Sequence, residues 1–98
     1  MTSSYDAVSN LIDKIEKLKD DIKQHKDYIV YLEKEIKECT ELRKTITLKT
    51  TIAKDIIKII EDKIKYYKTA VSIRSGTILN IESEIRICND RLIDNHYD

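Results

Sequence analysis

A chain of 98 residues carrying 18 basic and 18 acidic side chains has no net formal charge. It is long enough for one ordinary domain, with a core that stays thin unless helices or copies of the chain share it. With no Pro, one Gly, no Trp, no Phe and 37% charged residues, the composition is that of long helices, and it excludes a Gly-rich phosphate-cradling loop.

The N-terminal segment, MTSSYDAVSN, has neither a basic n-region nor an apolar h-region, so no cleaved secretion signal is expected. No run approaches the ~20 consecutive apolar residues of a membrane span. A soluble cytoplasmic protein is the expectation, or one exported without a cleaved signal peptide.

From Val8 onward one heptad seam governs the sequence. Its a positions are Val8, Ile15, Ile22, Ile29, Ile36, Arg43, Thr50, Ile57, Ile64, Val71, Ile78, Ile85 and Leu92. Its d positions are Leu11, Leu18, His25, Leu32, Cys39, Ile46, Ala53, Ile60, Tyr67, Arg74, Ile81, Cys88 and Asn95. Of these 26 positions 21 are apolar, in a chain that is 41% hydrophobic overall, so the period is a property of the design and not of the composition. A 3.5-residue repeat keeps one stripe of a helix against a partner helix.

The first helix is predicted over about residues 5–44, opening near Ser3 or Ser4, where Ser3 and Asp6 have the spacing of an N-cap with an acidic residue three on. Asp13 with Lys17, Glu33 with Lys37 and Lys34 with Glu38 stand four apart on one surface and add about 0.2–0.5 kcal/mol each. The seam weakens next. Arg43 and Thr50 take successive a positions, and Thr45, Thr47, Thr50 and Thr51 crowd one stretch. Each Thr costs a helix about 0.7 kcal/mol relative to Ala. A turn is therefore predicted over about 45–51, with Thr50 or Thr51 capping a second helix over about 52–93. Gly76 falls at f, the outermost heptad position, where it removes no core contact and leaves the helix continuous.

The expected architecture is all-α: an antiparallel helical hairpin forming a single coiled-coil domain over 1–98 and packing into a multi-helix bundle. Unbroken heptad phase through the weak stretch keeps an alternative open, one continuous long helix in a parallel coiled-coil oligomer. A third arrangement breaks again at Ser75 and Gly76.

The second half has an additional apolar stripe. Its c positions are Ile52, Ile59, Tyr66, Ile73, Asn80 and Ile87, whereas those of the first half include Lys17, Gln24, Tyr31 and Glu38. Ile56 at g and Leu79 and Ile93 at b widen it. A helix that is apolar on two faces has to meet more than one neighbour. Ile52, Ile56, Ile59, Tyr66, Ile73 and Ile87 are accordingly the candidate partner-binding residues.

Polar residues in the seam are candidates for setting register or partner choice: His25, Arg43 and Arg74. Near a turn Arg43 reaches water. Arg74 sits far from any expected end, so an acidic group on another chain is its expected partner. Charge is uneven: residues 1–42 carry 7 basic and 10 acidic groups, 43–74 carry 9 and 3, and 75–98 carry 2 and 5. Within the basic middle Lys63, Lys65 and Lys68 flank Tyr66 and Tyr67, a candidate anion-binding cluster, since cations beside aromatics grip phosphate and stack bases. A solvated helix face accounts for the same lysines more simply, and nucleic acid is the less favoured partner.

No catalytic residue, metal site or cofactor is expected. His25, His96, Cys39 and Cys88 are the only nitrogen and sulfur ligands, and no two stand at metal-ligand spacing. Glu33 with Glu35 and Glu82 with Glu84 are two apart and point to different helix sides. Both cysteines take d positions, where a thiol acts as a small hydrophobe; an interchain disulfide is the alternative use.

The expected role is a non-enzymatic protein–protein interaction module, an assembly subunit, adaptor or inhibitor, that docks on a protein partner or on a further copy of itself. In length and expected hairpin form the chain resembles the small helical proteins of type VII secretion, without their Trp-x-Gly turn. That resemblance implies a second role, a secretion companion or chaperone of a larger helical protein. Nucleic-acid binding through 43–74 is a third.

Overall fold

The computed structural model describes the backbone of residues 4–97 and the side chains of residues 6–94. Two helices, α1 (Ser4–Thr45) and α2 (Thr51–Tyr97), are joined by the connection 46–50, and no strand occurs among the described residues. The fold is an all-α helical hairpin. A single continuous helix is excluded by the connection, and the further break at Ser75 and Gly76 does not occur: α2 passes through both residues. A Cβ at Gly76 would meet nothing within 4 Å, so glycine there answers no packing demand.

The helices stop where the threonines gather, and the threonine side chains are part of the reason. Thr45 Oγ1 donates to the Leu42 carbonyl at 2.6 Å, and the Ile46 N–H reaches the Arg43 carbonyl at 3.2 Å. Both bonds occupy acceptors that the end of a helix leaves open. On the other side the Ala53 N–H donates to Thr50 Oγ1 at 3.1 Å, and the Lys54 N–H donates to the Thr50 carbonyl at 3.0 Å. Thr50 is thus the N-cap of α2, bonded to the third helical residue. The connection contains no Gly, Pro, Asn or Asp and needs none, because no described residue has a positive φ.

Other boundaries follow local chemistry. The N-cap expected at Ser3 lies outside the described residues, and α1 begins at Ser4 with Asp6 in its first turn, where a carboxylate suits the helix dipole. At the other end α2 runs to Tyr97, past the expected end near residue 93, and neither Gly nor Pro lies between Ile93 and Tyr97 to stop it.

From Val8 to Leu92 every a and d residue is buried or half-buried except Arg43 and Thr50. Both exceptions sit beside the connection. The chain divides into two compact units, Met1–Lys26 with Gly76–Asp98, and Asp27–Ser75. In the first, Ile15, Leu18 and Cys88 form a core cluster against which Leu11, Ile81, Ile85 and Leu92 pack, and Ile78 is buried as well. In the second, Leu32, Ala53 and Ile60 are buried, with Leu32 only 1% exposed. Ile29, Ile36, Cys39, Ile57, Ile64, Tyr67 and Val71 are half-buried in that same unit.

Candidate interaction face

The second unit, Asp27–Ser75, carries most of what the seam leaves outside. On α2 the c residues Ile52, Ile59, Tyr66 and Ile73 are between 62% and 73% exposed, and Ile56 at g is 44% exposed. The last residue of the expected stripe, Ile87, belongs to the first unit and is 53% exposed. None of these side chains is among the buried residues of the hairpin core. Helical geometry explains the division: c and g project to one side of the a/d seam, so a chain that folds its seam inward must turn them to solvent.

The face is wider than the sequence stripe. In an antiparallel pair the g positions of both helices flank the seam on the same side, and α1 contributes Tyr28 and Leu42 at g and Tyr31 at c, all exposed. The rings of Tyr28 and Tyr31 lie 5.8 Å apart, and those of Tyr66 and Tyr67 also 5.8 Å, edge to face. The Tyr31 phenol is held above its ordinary range, first by the neighbouring Glu35 carboxylate and then by burial and by Tyr67. That of Tyr67 is raised first by burial and then by Glu35 and Cys39. Four tyrosines and Glu35 therefore form one neighbourhood spanning both helices. The α1 residues escaped the sequence reading because their c and g positions are apolar at few places; the antiparallel register is the signal that finds them.

At the connection end the face runs into a cavity of about 320 Å³ whose apolar lining includes Ile46, Leu48, Ile52, Ala53 and Ile56. Ile52 and Ile56 belong to both the stripe and this notch. Leu48 is 70% exposed at its rim.

The polar seam residues are placed as follows. Arg43 Nε donates to Glu61 Oε1 at 2.8 Å, with both side chains about half in solvent. Arg74 has a recipient within its own chain: its guanidinium carbon stands 4.3 Å over the Tyr28 ring, a cation–π geometry. The expected acid on another chain is not needed to account for it. His25 is half-buried in α1 of the first unit. Cys39 is half-buried and Cys88 buried, and both are free thiols.

The candidate anion cluster divides across the helix. Lys65 and Lys68 line a recess of about 490 Å³ together with Glu61, Ile64, Thr69 and Ser72, on the b and e flank. Lys63, at g, belongs to the opposite flank by register. Glu61 sits in the recess with the two lysines, which weakens its hold on an anion. Among the described residues no three His, Cys, Asp or Glu side chains are grouped so as to hold a metal ion, and no helix is long and apolar enough to cross a membrane.

No protein-family model, curated protein or solved structure matches this chain.

Proposed function

We propose that the chain is a non-enzymatic α-helical protein–protein interaction module that works as an assembly subunit, adaptor or inhibitor and docks through the exposed apolar face of α2. The observation that carries this reading is the exposure of Ile52, Ile59, Tyr66 and Ile73, each more than 60% open, in a fold that already has a separate buried seam. Scattered surface hydrophobics are ordinary, but a contiguous apolar stripe is characteristic of an interaction site. Aromatic and aliphatic anchors at i, i+3, i+4 and i+7 are the contacts by which one helical surface grips another. The cavity beside Ile52 and Ile56 offers a socket for a bulky side chain at one end of the stripe.

The test is the double substitution Ile59→Asp with Ile73→Asp, compared with wild type for helicity by circular dichroism, solution mass by light scattering, and proteins captured from the source cell. Loss of mass or of captured partners supports the reading. Unchanged helicity, mass and captured proteins overturn it.

A further inference from the structure

We infer that the occupant of the exposed face of the second unit is a second copy of the same chain, joined through the same residues on both copies. The inference rests on the docking reading above and names the partner.

Exposed area is sufficient for a copy. The chain exposes 7820 Å², whereas a compact monomer of 11.5 kDa exposes about 5,800 Å² on the usual scaling of area with mass. The excess, roughly 2,000 Å² per chain, is the surface that assembly is available to cover. A stable symmetric dimer removes about 1,200–2,000 Å² from the two partners together, and obligate ones remove more. Half of the excess on each copy is therefore enough for an obligate interface.

The composition of that surface favours cover. Among the described residues seven side chains form the buried core, while fourteen large hydrophobics are exposed. Long helices owe most of their stability in water to packing of an apolar face rather than to propensity, and a core this small gives little margin. A further copy is present wherever the chain is made, at a concentration on which mass action then acts.

The face is also self-complementary in charge. Glu35 at g and Glu38 at c lie on its α1 side, and Lys63 at g lies on its α2 side. Glu35 and Glu38 stand near Tyr31, on whose phenol both act, so the carboxylates border the aromatic part of the face. A symmetric pairing uses one patch twice, which allows the α2 side of one copy, with its ammonium among isoleucines, to cover the α1 side of the other with its carboxylates.

The experiment is sedimentation equilibrium of the purified full chain across the micromolar range, with helicity recorded at each concentration. The wild type is expected at twice the 11.5 kDa chain mass, losing helicity as dilution separates it. Ile59→Ala with Ile73→Ala removes apolar contacts while improving helix propensity, so it tests the face without introducing charge; the pair is expected to dissociate at least about a hundredfold more readily. Val30→Asp, on the opposite b flank, is expected to keep the two-chain mass. A wild type of single-chain mass and constant helicity throughout overturns the second copy, and leaves the docking reading standing if Ile59 and Ile73 still govern capture of another protein. A two-chain mass untouched by the alanine pair overturns the placing of the second copy on this face, and the docking reading falls with it only if the proteins captured are unchanged as well.

Discussion

The unit of Met1–Lys26 with Gly76–Asp98 and the unit of Asp27–Ser75 are held by one heptad seam but dress their outer surfaces differently. In the first the large exposed hydrophobics are Ile12, Leu79, Ile87 and Ile93, which occupy e, b, c and b and so fall on different flanks. In the second they are Tyr28, Val30, Tyr31, Leu42, Leu48, Ile52, Ile56, Ile59, Tyr66 and Ile73, and eight of these ten take c or g. The inner seam is a cohesion device shared by both units. The outer clustering is confined to one, so the apolar surface that the hairpin closes on itself is distinct from the apolar surface that it leaves exposed.

The comparison is broken or sharpened first in the cores. Leu32, 1% exposed, is enclosed in the second unit, and Leu32→Ala is expected to lower stability by about 2–5 kcal/mol in urea unfolding. An equal loss for Ile12→Ala, on the open surface of the first unit, would show that exposure in the hairpin does not describe the folded protein in solution. Next in size is the cap. Thr50→Ala removes the oxygen that receives the Ala53 N–H, and a loss of about 1 kcal/mol is expected, with Thr50→Ser restoring most of it. If Thr51→Ala costs as much, α2 starts elsewhere.

Smaller again is the Arg43–Glu61 pair. Both partners are about half exposed, so a double-mutant cycle is expected to return a coupling of only about 0.2–1 kcal/mol, screened by salt. The least effect belongs to the tyrosines. Their folded-state pKa values lie above the ordinary 10.0, so the stability they contribute is fully present below that value and is lost as pH rises through the folded values. Tyr31→Phe and Tyr67→Phe are each expected to flatten the fall in stability above pH ~10, read as the unfolding midpoint against pH; an unchanged slope in both counts against the Glu35 neighbourhood.

Much of the fold was legible in advance because a helix repeats. Period alone named the seam residues, the weak point at Arg43 and Thr50, and the outward stripe from Ile52 to Ile73. Thr50 was one of two candidate caps, and the geometry chose it. Other features were hidden because they join residues distant in sequence: Arg74 over Tyr28, Arg43 with Glu61, and the addition of Tyr28, Tyr31 and Leu42 to the face. Lys63, Lys65 and Lys68 show the opposite case, where nearness in sequence suggested a cluster that helical rotation divides between flanks.

By itself, the sequence determined that this protein is helical along one apolar seam and that its second half has a further apolar side, because both properties are periodicities that a helix turns directly into faces. Which residues stand opposite each other across the seam was decided only by the tertiary structure. Heptad phase runs unbroken through the connection and is the same for a hairpin and a continuous rod. Folding back at 46–50 is what brings an aromatic ring beneath Arg74 and joins α1 and α2 into one exposed surface.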